Sequence, residues 1–351
     1  MDALTPGGTA DPGRTDCPPG AEDLAWLRVE DDVAPGTVRR RAVELAERVG
    51  FPEARSGQVA IVATELATNL HRHGQEGVVV LRLLRRDTEG GVEIVALDKG
   101  PGMRDVHRRL LDGTSTGGTL GIGLGTLPRL SDSYDVHSVP GHGTVVVATF
   151  WPGGRTWDDV AAGLTRTHEG ESECGDAYAF RPVDDGWLLL SVDGLGHGSL
   201  AARAAHVATR CFLESRHTSP RAVMNELHRA TAGTRGAAAA VAHVDPRRGR
   251  LTYTGVGNIS GRILGPGRVR GLVSHPGILG HRARPPVETT YDVEPGTWVV
   301  LHSDGLTEKW DIKAYPGILD HSPLLLAATL LRDAGVRRDD ASVLALKVPS
   351  R

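Results

Sequence analysis

The sequence predicts an α+β chain in two parts: an α/β sandwich with its helices on one sheet face, then a mostly β half carrying few helices. Three observations point there. Two helix-period segments lead into strand-like runs, a Gly-rich segment and another strand. A Gly- and Pro-rich stretch at 151–157 then breaks the chain. Beyond it, two apolar strands end in the same Asp-Gly-Leu text. A length of 351 residues suits two domains. The expected layout is a disordered tail over 1–20, a first domain over 21–152, a linker over 153–156 and a second domain over 157–351. The hydrophobic fraction is 40% with only 4% aromatic residues, so the cores must be built mainly from Ala, Val and Leu. Such a chain is too apolar to stay disordered.

In order along the chain, Val38, Ala42, Leu45, Ala46 and Val49 line one face of a helix over Thr37–Val49, which Gly50-Phe51-Pro52 ends. Val59, Val62, Ala63, Leu66 and Leu70 repeat that spacing, predicting a second helix over Ser56–His73. Val78–Leu84 and Val92–Leu97 read as strands. A Gly/Thr-rich segment from Leu110 to Thr126 precedes a short helix over Leu124–Leu130, and Val145–Phe150 is a β-branched strand. In the second half, helices are expected over Leu200–Ser215, Ala222–Ala230 and Pro323–Ala334. Trp187 and Trp298 each open an apolar run that ends six residues later in Asp-Gly-Leu, at Asp193 and Asp304. Two buried strands delivering carboxylates at their C-terminal ends suit a hard-metal site.

Composition removes several classes. With 40 basic and 43 acidic residues the net charge is -3, which argues against a nucleic-acid or polybasic membrane binder. Three scattered cysteines, Cys17, Cys174 and Cys211, form neither a disulfide framework nor a zinc knuckle. No apolar run reaches the roughly 20 residues of a membrane span. The N-terminus lacks the charged and apolar regions of a signal peptide. The expected location is cytoplasmic.

Three features of the first half fall in order. Glu65 and Asn69 stand at i and i+4 on the second helix, hence on one face. Asp98-Lys-Gly-Pro-Gly102 directly follows a strand. Gly121-Ile-Gly-Leu-Gly125 precedes a helix, where free backbone N–H groups suit phosphates. Together with ATELATNLHRHG, ALDKGPGM and GTLGIGLGTLPRLSDSYDVHSVPGHGTVVVATFW, these resemble the ATP-binding (Bergerat) fold shared by gyrase, histidine kinases and MutL, the GHKL family. Within it the likeness is strongest to the small anti-sigma serine kinases of the RsbT type. The resemblance implies ATP and Mg²⁺ as cofactors: Asn69 would hold Mg²⁺ and Asp98 would accept the adenine amino group. Gly100, Gly102, Gly121, Gly123 and Gly125 would line the adenine and phosphates, with Thr144 near the base. Glu65 would act as general base on an incoming hydroxyl. His71 and His73 point to different helix faces and read as surface polarity rather than as a metal pair.

The second half carries Asp176, Asp193, Asp304 and the pair Asp339-Asp340 on four separated loops. Oxygen-only donors of this kind suit Mg²⁺ or Mn²⁺. The texts GDAYAF, SVDGLGHGSLAARAA, TRGAAAAVAHVD, YTGVGNISGRI, LHSDGLTE and RDDASVLALKV resemble the SpoIIE branch of the metal-dependent serine/threonine phosphatases, most closely the RsbX type. The resemblance implies a β-sandwich flanked by helices and two Mn²⁺ or Mg²⁺ ions. The implied metal ligands are Asp176, Asp193, Asp304 and Asp339, assisted by the Gly194 carbonyl. Asp339 stands three residues before Ser342, as the family's last Asp does, with Asp340 as the substitute. His197 invites a general-acid role, against which a structural role is favoured because the family does not require it.

A serine-kinase resemblance fused to a phosphatase resemblance implies opposing reactions on one chain, within a bacterial partner-switching pathway. The expected partner is a STAS-domain anti-sigma antagonist or a stressosome-like protein, with a sigma factor or its regulator as a further candidate. The alternative is an active phosphatase whose first half binds nucleotide or a partner without phosphoryl transfer.

Overall fold

Helix α1 (Ala34–Arg48) starts where Asp31 Oδ1 accepts from the Val33 and Ala34 amides at 3.0 and 2.8 Å. It ends at Gly50, whose φ of +80° turns the chain back. Helix α2 (Glu53–His73) follows at once. The computed structural model describes residues 20–86, 88–111, 123–156, 159–265, 267–281, 284–336 and 338–349. The tail expected over 1–20 lies outside them except for Gly20, which opens strand β1 (Gly20–Arg28). Gly121, expected beside the phosphates, also lies outside.

After α2 come β2 (Val78–Arg86), β3 (Glu89–Asp98), α3 (Val106–Leu111), a 3₁₀ turn at Leu124–Thr126 running into α4 (Leu127–Leu130), β4 (Ser133–Val139) and β5 (Gly143–Phe150). The strands pair antiparallel in the order β1-β2-β3-β5-β4. Alternate residues separate the two faces. Leu81, Leu83, Val92, Ile94, Ala96, Val146 and Ala148 pack under α1 and α2. Val80, Val95, Leu97, Val145 and Val147 point the other way and are equally buried.

The second half contributes β6 (Ala161–Arg166), β7 (Asp176–Val183), β8 (Gly186–Gly194), α5 (Ser199–Glu214), α6 (Pro220–Ala230), β9 (Ala237–Asp245), β10 (Arg250–Val256) and β11 (Ser260–Gly265). Then follow β12 (Arg268–Leu272), β13 (Ser274–His275), β14 (Thr289–Asp292), β15 (Trp298–His302), α7 (Pro323–Ala334) and β16 (Ala341–Lys347). One sheet runs β13-β10-β9-β8-β7, with β14 also on β10, and the other β12-β11-β15-β16-β6. Leu189, Ala240, Tyr253, Val299, Leu301 and Leu344 fill the space between them. Helices α5 and α6 cover the outer face of the first sheet.

Helix α7 covers the outer face of the second sheet, and its own far side meets the free face of the first half's sheet. Of its residues only Asp333 escapes burial, as expected of a helix that is apolar all round. The layers therefore run helices, sheet, helix, sheet, sheet, helices, and one apolar core joins the two halves. A buried ionic network reinforces the junction. Arg82, 1% exposed, pairs with Glu93 and, at 2.6 Å, with Asp23, and it donates to the Gly163 carbonyl at 2.8 Å across the junction. Asp23 Oδ2 accepts from the Thr165 amide at 2.6 Å. Burial works against the Arg82 charge, but Asp23 and its other anionic neighbours hold the guanidinium protonated. No helix among the described residues is long and apolar enough to cross a membrane.

Candidate functional site

At one end of the sandwich, the antiparallel register sets Asp176 of β7 directly opposite Asp193 of β8. From the other sheet, Asp304 follows β15, while Asp339 and Asp340 immediately precede β16, with β15 and β16 paired alongside. Two sheets thus deliver five carboxylates to one end. Asp176 and Asp340 are 4% and 3% exposed, and one buried oxygen of each, Oδ2, has no hydrogen-bond partner. The other Asp340 oxygen accepts from the His168 amide at 2.7 Å. Asp304 Oδ2 accepts from Asn258 Nδ2 at 2.5 Å. Gly175 and Gly194 leave room here: a Cβ on Gly175 would stand 2.8 Å from Asp340 Oδ2, and one on Gly194 would run into the Ala201 backbone.

The electrostatics are those of crowded acids. Burial, then the Asp193 charge, pushes Asp176 well above the usual carboxylate range. Burial, then Asp304 and Asp339, pushes Asp193 up to about 7, and burial and Asp304 raise Asp339. The carboxylates share one electrostatic environment without closing into a cage: among the described residues, no three His, Cys, Asp or Glu side chains stand together at ligating positions. Buried lone pairs without a donor, oxygen-only chemistry and raised pKa values together fit a hard divalent cation. Asp339 acts on Asp193, and Asp340 on Asp176 through its buried side chain, so both positions left open by the motif face the group.

His197 lies exposed beside this group, held by Glu171 at 2.7 Å and stacked on His168 at 4.7 Å between ring centroids. Its supports Glu171 and His168 belong to no motif, because they come from the irregular segment before β7. Asn258 was visible only as part of a motif.

In the first half, Asp98 ends β3 opposite Thr144 of β5. It is 8% exposed, and its Oδ1 accepts from the Gly100 amide at 2.6 Å. Burial raises its pKa, opposed by the Gly100 amide, the Arg332 charge and the Thr144 amide. Gly143, at φ +83°, is required here, since an added Cβ would run into the Asp98 carbonyl. Gly102, at φ +66°, meets the Val139 carbonyl in the same way. The end of α2 lies against this loop, a Cβ on Gly74 coming 3.2 Å from that of Asp98. Glu65 and Asn69 are half-buried on α2, and burial raises the Glu65 pKa against the nearby Arg72 charge. Gly123 and the buried Gly125 lead into the turn before α4. A cradle of close backbone approaches around a buried carboxylate acceptor fits an adenine nucleotide. His71 pairs with Asp32 at 2.8 Å, in keeping with a surface histidine.

Residues 29–150 match the family model for the histidine kinase-like ATPase domain, and residues 183–349 match that for Stage II sporulation protein E (SpoIIE). The chain is 32% identical over 129 residues to the serine/threonine-protein kinase RsbT of Bacillus subtilis (strain 168), covering 37% of this chain and 97% of that protein. It is 29% identical over 143 residues to the phosphoserine phosphatase RsbX of the same organism, covering 39% of this chain and 70% of that protein. A solved structure from work on "The bacterial stressosome: a modular system that has been adapted to control secondary messenger signaling" shares 32% identity at a TM-score of 0.50, covering 53% of this chain and 98% of its own.

Proposed function

The chain belongs to the histidine kinase-like ATPase family through residues 29–150 and to the SpoIIE family through residues 183–349, and on that footing we propose that it sets the phosphorylation level of one regulatory partner from both directions. It is a protein serine/threonine phosphatase joined to an RsbT-like kinase half, built as a regulator of partner switching. In this reading the partner is a STAS-type protein. The first half phosphorylates a Ser or Thr on it from ATP, and the second half hydrolyses the phosphoester.

The observation that carries the phosphatase reading is the meeting of Asp176, Asp193, Asp304 and Asp339 at one end of the sandwich, with a buried oxygen of Asp176 left unpartnered. These four, with the Gly194 carbonyl, would hold two Mn²⁺ or Mg²⁺ ions. Bound there, the ions would supply Lewis acidity at phosphorus and at the attacking water. The chain itself contributes the orientation: Asn258 fixes Asp304. In the first half, Asp98 would accept from the adenine amino group, with Thr144 beside the base and Gly100 and Gly102 keeping the backbone close. Gly121, Gly123 and Gly125 would turn amides toward the phosphates. Asn69 would hold Mg²⁺, while Glu65, its pKa raised by burial, would take the proton of the incoming hydroxyl.

The test is a two-way assay on the full chain with a candidate STAS protein. Labelled ATP should pass label to the partner, and Mn²⁺ should release phosphate from the phosphorylated partner. Label that never leaves ATP, although ATP binds, would reduce the first half to a nucleotide-binding module. Failure to release phosphate would remove the phosphatase reading.

A further inference from the structure

Arg332 stands one turn from the end of α7, in the phosphatase half, yet its side chain is 4% exposed and turned toward the nucleotide site. Its Nε and Nη2 grip the two carboxylate oxygens of Asp333, each at 2.7 Å. That fork fixes the guanidinium plane. The remaining nitrogen, Nη1, donates to the main-chain carbonyl of Asp98 at 3.0 Å. This is the same carbonyl that Gly143 crowds from the other side. The end of β3 is therefore held from both sides, by a glycine of its own sheet and by an arginine from the other half.

We infer that Arg332 is a positioning residue of the nucleotide site, supplied by the phosphatase half, and that it sets where the Asp98 carboxylate stands for the adenine base. The inference rests on the nucleotide reading of the first half. Three facts carry it. The contact is a buried hydrogen bond. Asp333 holds the other two guanidinium nitrogens, which leaves Nη1 to fix direction, while the Arg332 charge also favours the ionised Asp98. Asp98 follows its own carbonyl rigidly, because the Gly100 amide ties its side chain back to the loop. The remaining charged group of this loop, Lys99, is occupied by Glu76 at 3.2 Å.

The helix continues the connection. Beyond Arg332, the Ala334 carbonyl accepts from the Thr307 amide at 2.9 Å, and the Val336 amide donates to the Gly305 carbonyl at 2.7 Å. The turn after Arg332 is thus bonded to the loop that carries Asp304. One helical end touches both the strand that presents Asp98 and the loop that presents Asp304.

The experiment is calorimetric titration of the full-length protein with the β,γ-imido analogue of ATP and Mg²⁺, and separately with the corresponding GTP analogue. Arg332→Met should weaken the ATP analogue about tenfold, or about 1.4 kcal/mol, and leave the GTP analogue unchanged, so that base discrimination collapses. Asp98→Asn should do the same, and the double variant should lose no more than the stronger single one. Leu331→Ala loosens the same helix turn without touching the Asp98 carbonyl. It should lower the unfolding midpoint while keeping the preference for ATP. Equal loss of discrimination in Leu331→Ala and Arg332→Met would reduce Arg332 to a packing role and overturn the inference. A wild-type chain that binds ATP and is weakened by Asp98→Asn, but not by Arg332→Met, would overturn it alone. A wild type that binds neither analogue would sink the nucleotide reading and the inference with it.

Discussion

Asp193 shows how much one residue's neighbours decide. In isolation it is a carboxylate at a turn dipeptide; buried here and set near the charges of Asp304 and Asp339, it becomes a group pushed up to about 7. Asp193→Asn should cut divalent-dependent release of phosphate from a phosphorylated partner by about 100-fold or more, through lost charge stabilisation at phosphorus. Nucleotide titration of the same variant should match wild type; a phosphatase assay retaining full activity would count against the ligand set. Glu65→Ala should lower transfer of label by about 100-fold or more, the usual worth of a general base, while the imido analogue still binds. The motifs made Asp193 and Asp304 legible because each closes an apolar strand with the same text. They left Glu171 and His168 unseen, since those side chains lie far away in sequence and carry no pattern of their own. The choice between Asp339 and Asp340 was open for a different reason: adjacent residues before a strand share a motif and differ only in the direction the pleat gives them.

Among the elements, helix α7 was legible to its ends, from Pro323 at its first turn to Ala334 before Gly335. What buries it was not. A helix with apolar residues on every side reports that both sides are covered without saying by what. Strands β1 and β4 escaped notice because polar residues take some of their inward positions, among apolar ones such as Ala25, Leu27 and Val136. Asp23 on β1 faces Arg82 and Thr165. Asp135 on β4 takes His321 Nδ1 at 2.6 Å and the Ser322 amide at 2.7 Å, and His137 bonds the Pro316 carbonyl at 3.0 Å. Apart from Arg82, their partners lie in the other half, so the alternation that marks a strand is absent from the apolar residues alone. Leu326→Ala in α7 should cost about 2–5 kcal/mol, as for other fully buried leucines, measured by chemical denaturation. Arg82→Met should cost about 3–5 kcal/mol, because it leaves Asp23 and Glu93 buried without their cation. A loss below 1 kcal/mol in the Arg82 variant would mean that water reaches the network.

At the level of the whole molecule, the junction carries its own titration. Burial, aided by the nearby His321, lowers the His137 pKa below its ordinary 6.5. The unfolded chain therefore takes up this proton first as pH falls. The contribution of His137 is full above about 6.5 and is lost as pH drops from there through its depressed value. Relative to His137→Gln, the wild-type chain should lose unfolding midpoint between pH 7 and 5; a difference that does not change with pH would place the titration elsewhere. The shared core has one more consequence, for any attempt to divide the protein. Severed between residues 151 and 159, one piece would present Val80, Val95, Leu97, Val145 and Val147 to water, and the other the far side of α7. Contiguous apolar surface of that kind adheres to whatever fits it. Two such fragments made in one cell should find each other and restore function by complementation, as a split reporter does.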